Sequence, residues 1–170
     1  MTTFMLPFPD SKLTGHFGKV RRIKGVPTTP HRGTDWGVKE GTPIPAVSNG
    51  TVRLVQWSNI LGWVLVQSVI DKNGKVFYVG YCHLKDKPKL IAGQKVAMGD
   101  TIGLCGNTGS ASSGPHLHAT LSPALKGVFQ GTVLDLHAFI LEQLEKPPTG
   151  RTRAKKTTTT TKKPSKTAKP

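Results

Sequence analysis

The chain has 170 residues with 24 Lys or Arg against 9 Asp or Glu, a formal net charge of +15. That length fits one domain with a real core. Two cysteines exclude a disulfide framework, and the absence of an apolar run of about 18 residues excludes a membrane-spanning helix. The charge is uneven: the segment from Lys146 onward holds nine basic residues and no acid. A basic balance of this kind favours anionic partners, whether nucleic acid, anionic lipid or an anionic cell-wall polymer.

The first 30 residues are rich in Pro, Gly and charge, with Leu13, Phe17 and Val20 as the side chains able to reach a core. Nothing in MTTFMLPFPDSK reads as a basic segment followed by an apolar one, so no signal peptide is expected. From residue 43 the texture is β. Residues 43–47 lead to Asn49-Gly50 and then to an alternating run at 51–55, which predicts a hairpin. A strand at 63–69, a turn at Asp71-Lys72-Asn73-Gly74 and a strand at 75–79 predict a second hairpin. Short strands at 94–96 and 101–104 follow, separated by glycines. Closely spaced strands with glycine turns predict a mainly β protein, an antiparallel sheet or sandwich.

One helix is expected, with Leu136, Phe139, Ile140 and Leu144 as its apolar stripe, Asp135 as its cap and Pro147-Pro148 as its stop. Residues 1–146 then form one domain. Residues 147–170 are expected to be a disordered cationic tail, because that composition cannot bury enough apolar surface to offset the entropy of ordering.

Three stretches carry chemistry. Residues 103–121, GLCGNTGSASSGPHLHATL, begin as a loop of small residues and end in His116-Leu117-His118. On a strand, the two imidazoles share a face and Leu117 points the other way. His31 and Asp35 stand four apart around Gly33, where the backbone can bend. Tyr81-Cys82-His83-Leu84 adds a further His after the second hairpin. Three protein ligands and an open fourth position are how a catalytic zinc is held. His31, Asp35 and one of His116 and His118 supply three ligands, leaving two imidazoles for acid–base work. Cys82 and Cys105 read as small buried residues, Trp36 and Trp63 as core in preference to groove wall, and His16 and His137 as surface or ordinary hydrogen-bonding residues.

These stretches resemble the lysostaphin-type, LytM-like zinc metallopeptidases, over residues 17–121. The family's H-x-x-x-D is matched by His31 and Asp35, and its Y-x-H-L by Tyr81 and His83. Its G-x-T-G and S-x-G-P-H-L-H are matched by Gly106–Gly109 and Ser112–His118, with one residue more between them than the pattern G-x-T-G-x-S-x-G-P-H-L-H has. The resemblance implies one Zn2+ held by His31, Asp35 and His118, with His83 and His116 as catalytic imidazoles. It also implies an antiparallel β fold with an active-site groove, for whose wall Tyr81, Asn107 and Thr108 are candidates; Tyr81 suits a core position equally. The aromatic and acid that family members commonly carry after the last His are Ala119 and Thr120 here.

The implied activity is zinc-dependent hydrolysis of peptide bonds in bacterial peptidoglycan. The candidate bonds are a glycine cross-bridge, a D-Ala to diamino-acid link or another stem-peptide bond. A phage endolysin, made in the host cytoplasm and released through a holin lesion or carried on the virion, fits the lack of a signal peptide. The basic tail would then tether the enzyme to anionic wall polymers. A non-catalytic wall-binding or hydrolase-activating relative is the alternative, disfavoured because all five key positions are present. A nucleic-acid-binding role is disfavoured because no aromatic residue interleaves the tail's Lys and Arg.

Overall fold

The computed structural model describes residues 4–20, 22–23, 26–27 and 29–144. The expected tail lies outside the described residues. Among the described residues eleven strands run in chain order: β1 (Leu13–Gly15), β2 (Arg22–Ile23), β3 (Val26–Pro27), β4 (Thr34–Trp36), β5 (Pro43–Pro45), β6 (Gly50–Ser58), β7 (Gly62–Ile70), β8 (Val76–Leu84), β9 (Lys95–Val96), β10 (Thr101–Leu104) and β11 (Leu117–Ser122). A 3-10 turn (Leu125–Val128) and helix α1 (Leu136–Leu144) close the described chain.

Seven strands form one antiparallel sheet in the order β1-β4-β11-β8-β7-β6-β9. The fold is mainly β, as the strand texture predicts. Strand β11 is buried along its whole length, between β4 and β8. Alternation divides its side chains: Leu117, Ala119 and Leu121 face the main core, while His118, Thr120 and Ser122 face the other way.

The main core joins those residues to Leu65, Val79, Tyr81, the β5–β10 pair and α1. On the opposite face, Val64, Val66 and Cys82 pack beneath Val128 and Phe129 of the 3-10 region. Helix α1 is capped as expected, with Ala138 N–H donating to Asp135 Oδ1 at 3.1 Å. It buries Leu136 and Ile140 and packs Phe139 against Phe4 and Phe77. Leu144 leaves the expected stripe for solvent, and so does Val20 in the N-terminal segment.

The hairpin around Asp71 forms: Gly74 N–H donates to the Asp71 carbonyl, and Asp71 Oδ1 accepts from Asn73 and Lys75 N–H. The Asn49-Gly50 hairpin does not. Strand β5 pairs with β10 in a separate two-stranded sheet, and Gly50 opens β6 as an extended residue paired to β9. Gly50 is there for space, since a Cβ would lie 2.1 Å from the Ser68 carbonyl oxygen. Asn49 instead accepts a hydrogen bond from Met98 N–H.

Tyr81 is also corrected. It is a core residue, fully buried, whose hydroxyl donates to Gln67 Oε1 at 2.7 Å and accepts from Val47 N–H at 3.0 Å. The period of two would put Tyr81 and His83 on one face, but His83 has φ +58° and breaks the alternation. Burial pushes the Tyr81 phenol above its ordinary pKa. Tyr81→Phe strips a partner from two buried polar groups and is expected to cost about 1–3 kcal/mol. The denaturation midpoint would fall while any hydrolytic rate measured on intact protein stays unchanged.

Candidate metal centre and active site

Register builds the centre. In the β4–β11 pairing His118 lies directly opposite Asp35, and in the β11–β8 pairing it lies opposite Cys82. Their side chains leave the sheet on the same face. His118 Nδ1 stands 2.8 Å from Asp35 Oδ1. His31, in the segment leading to β4, brings Nε2 to 3.1 Å from His118 Nδ1 and 3.2 Å from Asp35 Oδ1.

Three donor atoms thus face one another at nearly equal separations. Ligands about 2.0 Å from a tetrahedral zinc lie about 3.3 Å apart, so His31, Asp35 and His118 fit that ion with little movement. Among the described residues they are the group able to hold a metal. Two His and one carboxylate form a zinc-compatible donor set with room for a fourth ligand.

The histidines are oriented through the backbone. His31 Nδ1 lies 3.0 Å from the His16 carbonyl, His83 Nδ1 2.6 Å from the Thr108 carbonyl, and His116 Nδ1 2.8 Å from the Gly114 carbonyl. A carbonyl only accepts, so each neutral ring carries its proton on Nδ1 and keeps the lone pair on Nε2. In His31 that lone pair faces the donor cluster. His116 Nε2 is 3.8 Å from Asp35 Oδ1, and the His83 and His116 rings are 4.9 Å apart. Both rings line a cavity of about 380 Å³ together with His31, Asp35 and His118. The five residues singled out by spacing therefore meet in one place.

Electrostatics favours ligand-competent forms. Burial would raise the Asp35 pKa, but hydrogen bonds and charge from His118 and His31 outweigh it and hold the carboxyl below the usual range. Burial lowers the His118 pKa against the opposing pull of Asp35. Burial also lowers His83, to about 4, with the charges of His118 and His116 adding to the effect, so the ring is neutral near pH 7.

Two expected groove residues have other work. Asn107 accepts from the Ser112 hydroxyl and does not line the cavity. Thr108 acts through its backbone: its carbonyl holds His83. Its hydroxyl is occupied too, donating to the Leu84 carbonyl and accepting from Trp63 N–H. With Leu61 O accepting from His83 N–H, these contacts hold His83 in its left-handed conformation. His16, read as ordinary, orients a metal-site residue by its carbonyl. His137 contacts Trp36, and Cys82 and Cys105 are free and buried, the latter's thiol pushed up to about 11 by burial and Glu40.

The family model described as Peptidase family M23 matches residues 29–130. The chain belongs to peptidase family M23. That match includes every residue of the M23 centre described above. Peptidoglycan DD-endopeptidase ShyA of Vibrio cholerae is 38% identical over 92 residues, 54% of this chain and 20% of that protein. The chain matches about a fifth of the length of such curated relatives.

The solved catalytic domain of the antimicrobial peptidase lysostaphin from Staphylococcus simulans is 29% identical with a TM-score of 0.63. The similarity covers 78% of this chain and 93% of that domain. The catalytic domain of the prophage-encoded M23 protein EnpA from Enterococcus faecalis is 30% identical with a TM-score of 0.58, covering 75% and 89% respectively.

Gly33 lies against the metal site. A Cβ there would be 2.6 Å from both His118 Cε1 and the Ala119 carbonyl oxygen. Gly33→Ala must displace the His118 ring, and zinc affinity measured by competition with a chromogenic chelator is expected to fall about 10–100-fold. Unchanged affinity would mean that the ring position is not critical.

Proposed function

We propose that the chain is a zinc-dependent endopeptidase hydrolysing peptide bonds in bacterial peptidoglycan. The observation that carries this is the convergence of the His31, Asp35 and His118 donor atoms beside two imidazoles whose Nε2 lone pairs are left for proton transfer. The likeness to ShyA and to the lysostaphin catalytic domain supports peptidoglycan as the substrate. A phage lysin is the finer reading, supported by the likeness to the prophage-encoded EnpA domain.

His31, Asp35 and His118 would hold the ion. When bound, zinc supplies Lewis acidity, polarising the scissile carbonyl and lowering the pKa of water to about 7. The chain's own residues supply the proton chemistry. His116, nearest Asp35 of the two catalytic rings, accepts the water proton at Nε2 and returns it to the leaving amine nitrogen. His83 orients the attacking water by accepting its second hydrogen, a task suited to a ring that burial keeps neutral. The carbonyls of Thr108 and Gly114 keep both lone pairs turned away from the loop. Residues 147–170 act as an electrostatic tether to anionic wall polymers, a role supported by their charge.

Purified protein should clear suitable cell walls and release new amino termini. A chelator should stop the reaction and zinc should restore it. His83→Ala is expected to keep zinc and lose about 10²–10⁴-fold in rate, whereas His118→Ala should lose zinc and rate together. A fully active His83→Ala would overturn the assigned role. Deleting residues 151–170 should weaken wall binding at low salt, with the difference from the full chain vanishing at high salt. A salt-independent difference would refute the tether.

A further inference from the structure

Residues 107–115 leave the sheet at Gly106 and return at His116, whose N–H donates to the Gly106 carbonyl at 3.3 Å. The first part of this loop is anchored by its backbone. Ser110 N–H donates to the Asn59 carbonyl, Ala111 N–H to the Ile60 carbonyl and Ser112 N–H to the Gly109 carbonyl. Beyond that point, neither Ser113 nor Gly114 donates a main-chain hydrogen bond among the described residues, and Pro115 has no N–H to donate. Gly114 has no side chain to pack, and nothing lies within 4 Å of where its Cβ would be. Yet the Gly114 carbonyl is the group that orients the His116 ring. Neither packing nor the backbone ladder holds that carbonyl in place.

The Ser112 hydroxyl reaches it. Ser112 Oγ lies 2.6 Å from Asn107 Oδ1, 3.1 Å from the Gly114 carbonyl oxygen and 3.4 Å from His116 Nδ1. A hydroxyl has one proton and two lone pairs. Asn107 offers the nearest acceptor, at a separation normal for O–H···O, so the proton goes there. Toward His116 the Ser112 oxygen is then an acceptor only, as the Gly114 carbonyl is. Two acceptors beside Nδ1 admit one neutral tautomer, with the proton on Nδ1 and the lone pair on Nε2. A Ser112 hydroxyl free to turn could instead donate to a bare Nδ1. That would support the other tautomer, whose Nε2 has no lone pair to take a proton.

We infer that Asn107 and Ser112 are positioning residues for His116. Asn107 takes the Ser112 proton, and Ser112 Oγ together with the Gly114 carbonyl then holds the ring with its Nε2 lone pair free. The use made of that lone pair rests on the proposed endopeptidase activity; the state of the ring rests on these contacts.

The test reads the ring directly in the full, zinc-loaded chain. Ring-nitrogen chemical shifts report the His116 tautomer ratio at about pH 9, where an ordinary imidazole is neutral. The unmodified chain should carry the proton on Nδ1. Ser112→Ala and Asn107→Leu should each change the ratio about fivefold toward the Nε2–H form, the scale of one net hydrogen bond. Ser112→Thr, which keeps the hydroxyl, should keep the ratio. The His83 ring, held by the Thr108 carbonyl, and zinc affinity measured by chelator competition should not move in any variant. A His116 proton on Nε2 in the unmodified chain, or a ratio that either Ser112→Ala or Asn107→Leu leaves unchanged, overturns the assignment. So does a parallel change at His83 or in zinc affinity, which would mark a general loss of loop structure. Failure of the unmodified chain to cleave cell walls would overturn the proposed activity, while the shifts would still decide how the ring is held.

Discussion

The site depends on one cross-strand pairing. Where β11 runs antiparallel to β4, His118 and Asp35 are direct partners, and the pleat sends both side chains to the same face. Sliding the register by one residue would send His118 into the apolar core and bring Leu117 to the site. The apolar triplet Leu117, Ala119 and Leu121 prevents that slip, because burying it on the core side fixes which residues emerge opposite. Hydrophobic patterning and metal-site geometry are therefore one constraint seen from two faces of one strand.

Around that pair, three further imidazoles arrive from less regular chain. His31 lies before β4, His116 in the bridge preceding β11, and His83 near the end of β8 with a left-handed backbone. The last conformation is unfavourable for a residue with a Cβ. It persists because Leu61 and Thr108 accept from its backbone and ring N–H groups. Local strain at His83 turns a side chain that strand geometry would bury in the core toward the cavity.

The five polar side chains of the site were legible because metal binding and proton transfer need particular residue types, and His31, Asp35, His83, His116 and His118 stand in distinctive spacings. Strand texture was legible for the same reason that β11 is well placed: alternation reports burial. The errors have a common physical origin. Asn49-Gly50 has the composition of a tight turn, yet Gly50 is needed for close approach to Ser68, a long-range contact invisible to local pattern. Tyr81 read equally as groove wall or core, because the φ of His83, which separates the two side chains, is not visible in the sequence. Thr108 was singled out for the groove wall and His16 set aside as ordinary, and neither reading found the role each plays through its carbonyl, a group every residue has.

The three rings that carry their protons on Nδ1 all give them to main-chain oxygens, at positions 16, 108 and 114. Exchanging the side chains at those positions leaves these oxygens where they are, provided the loops keep their course. Lengthening or shortening either loop by a single residue does not, because it moves an oxygen while leaving every ligand in the sequence. The centre should thus withstand divergence in residue identity far better than divergence in loop length, and a chain could retain all five polar side chains and still be inert.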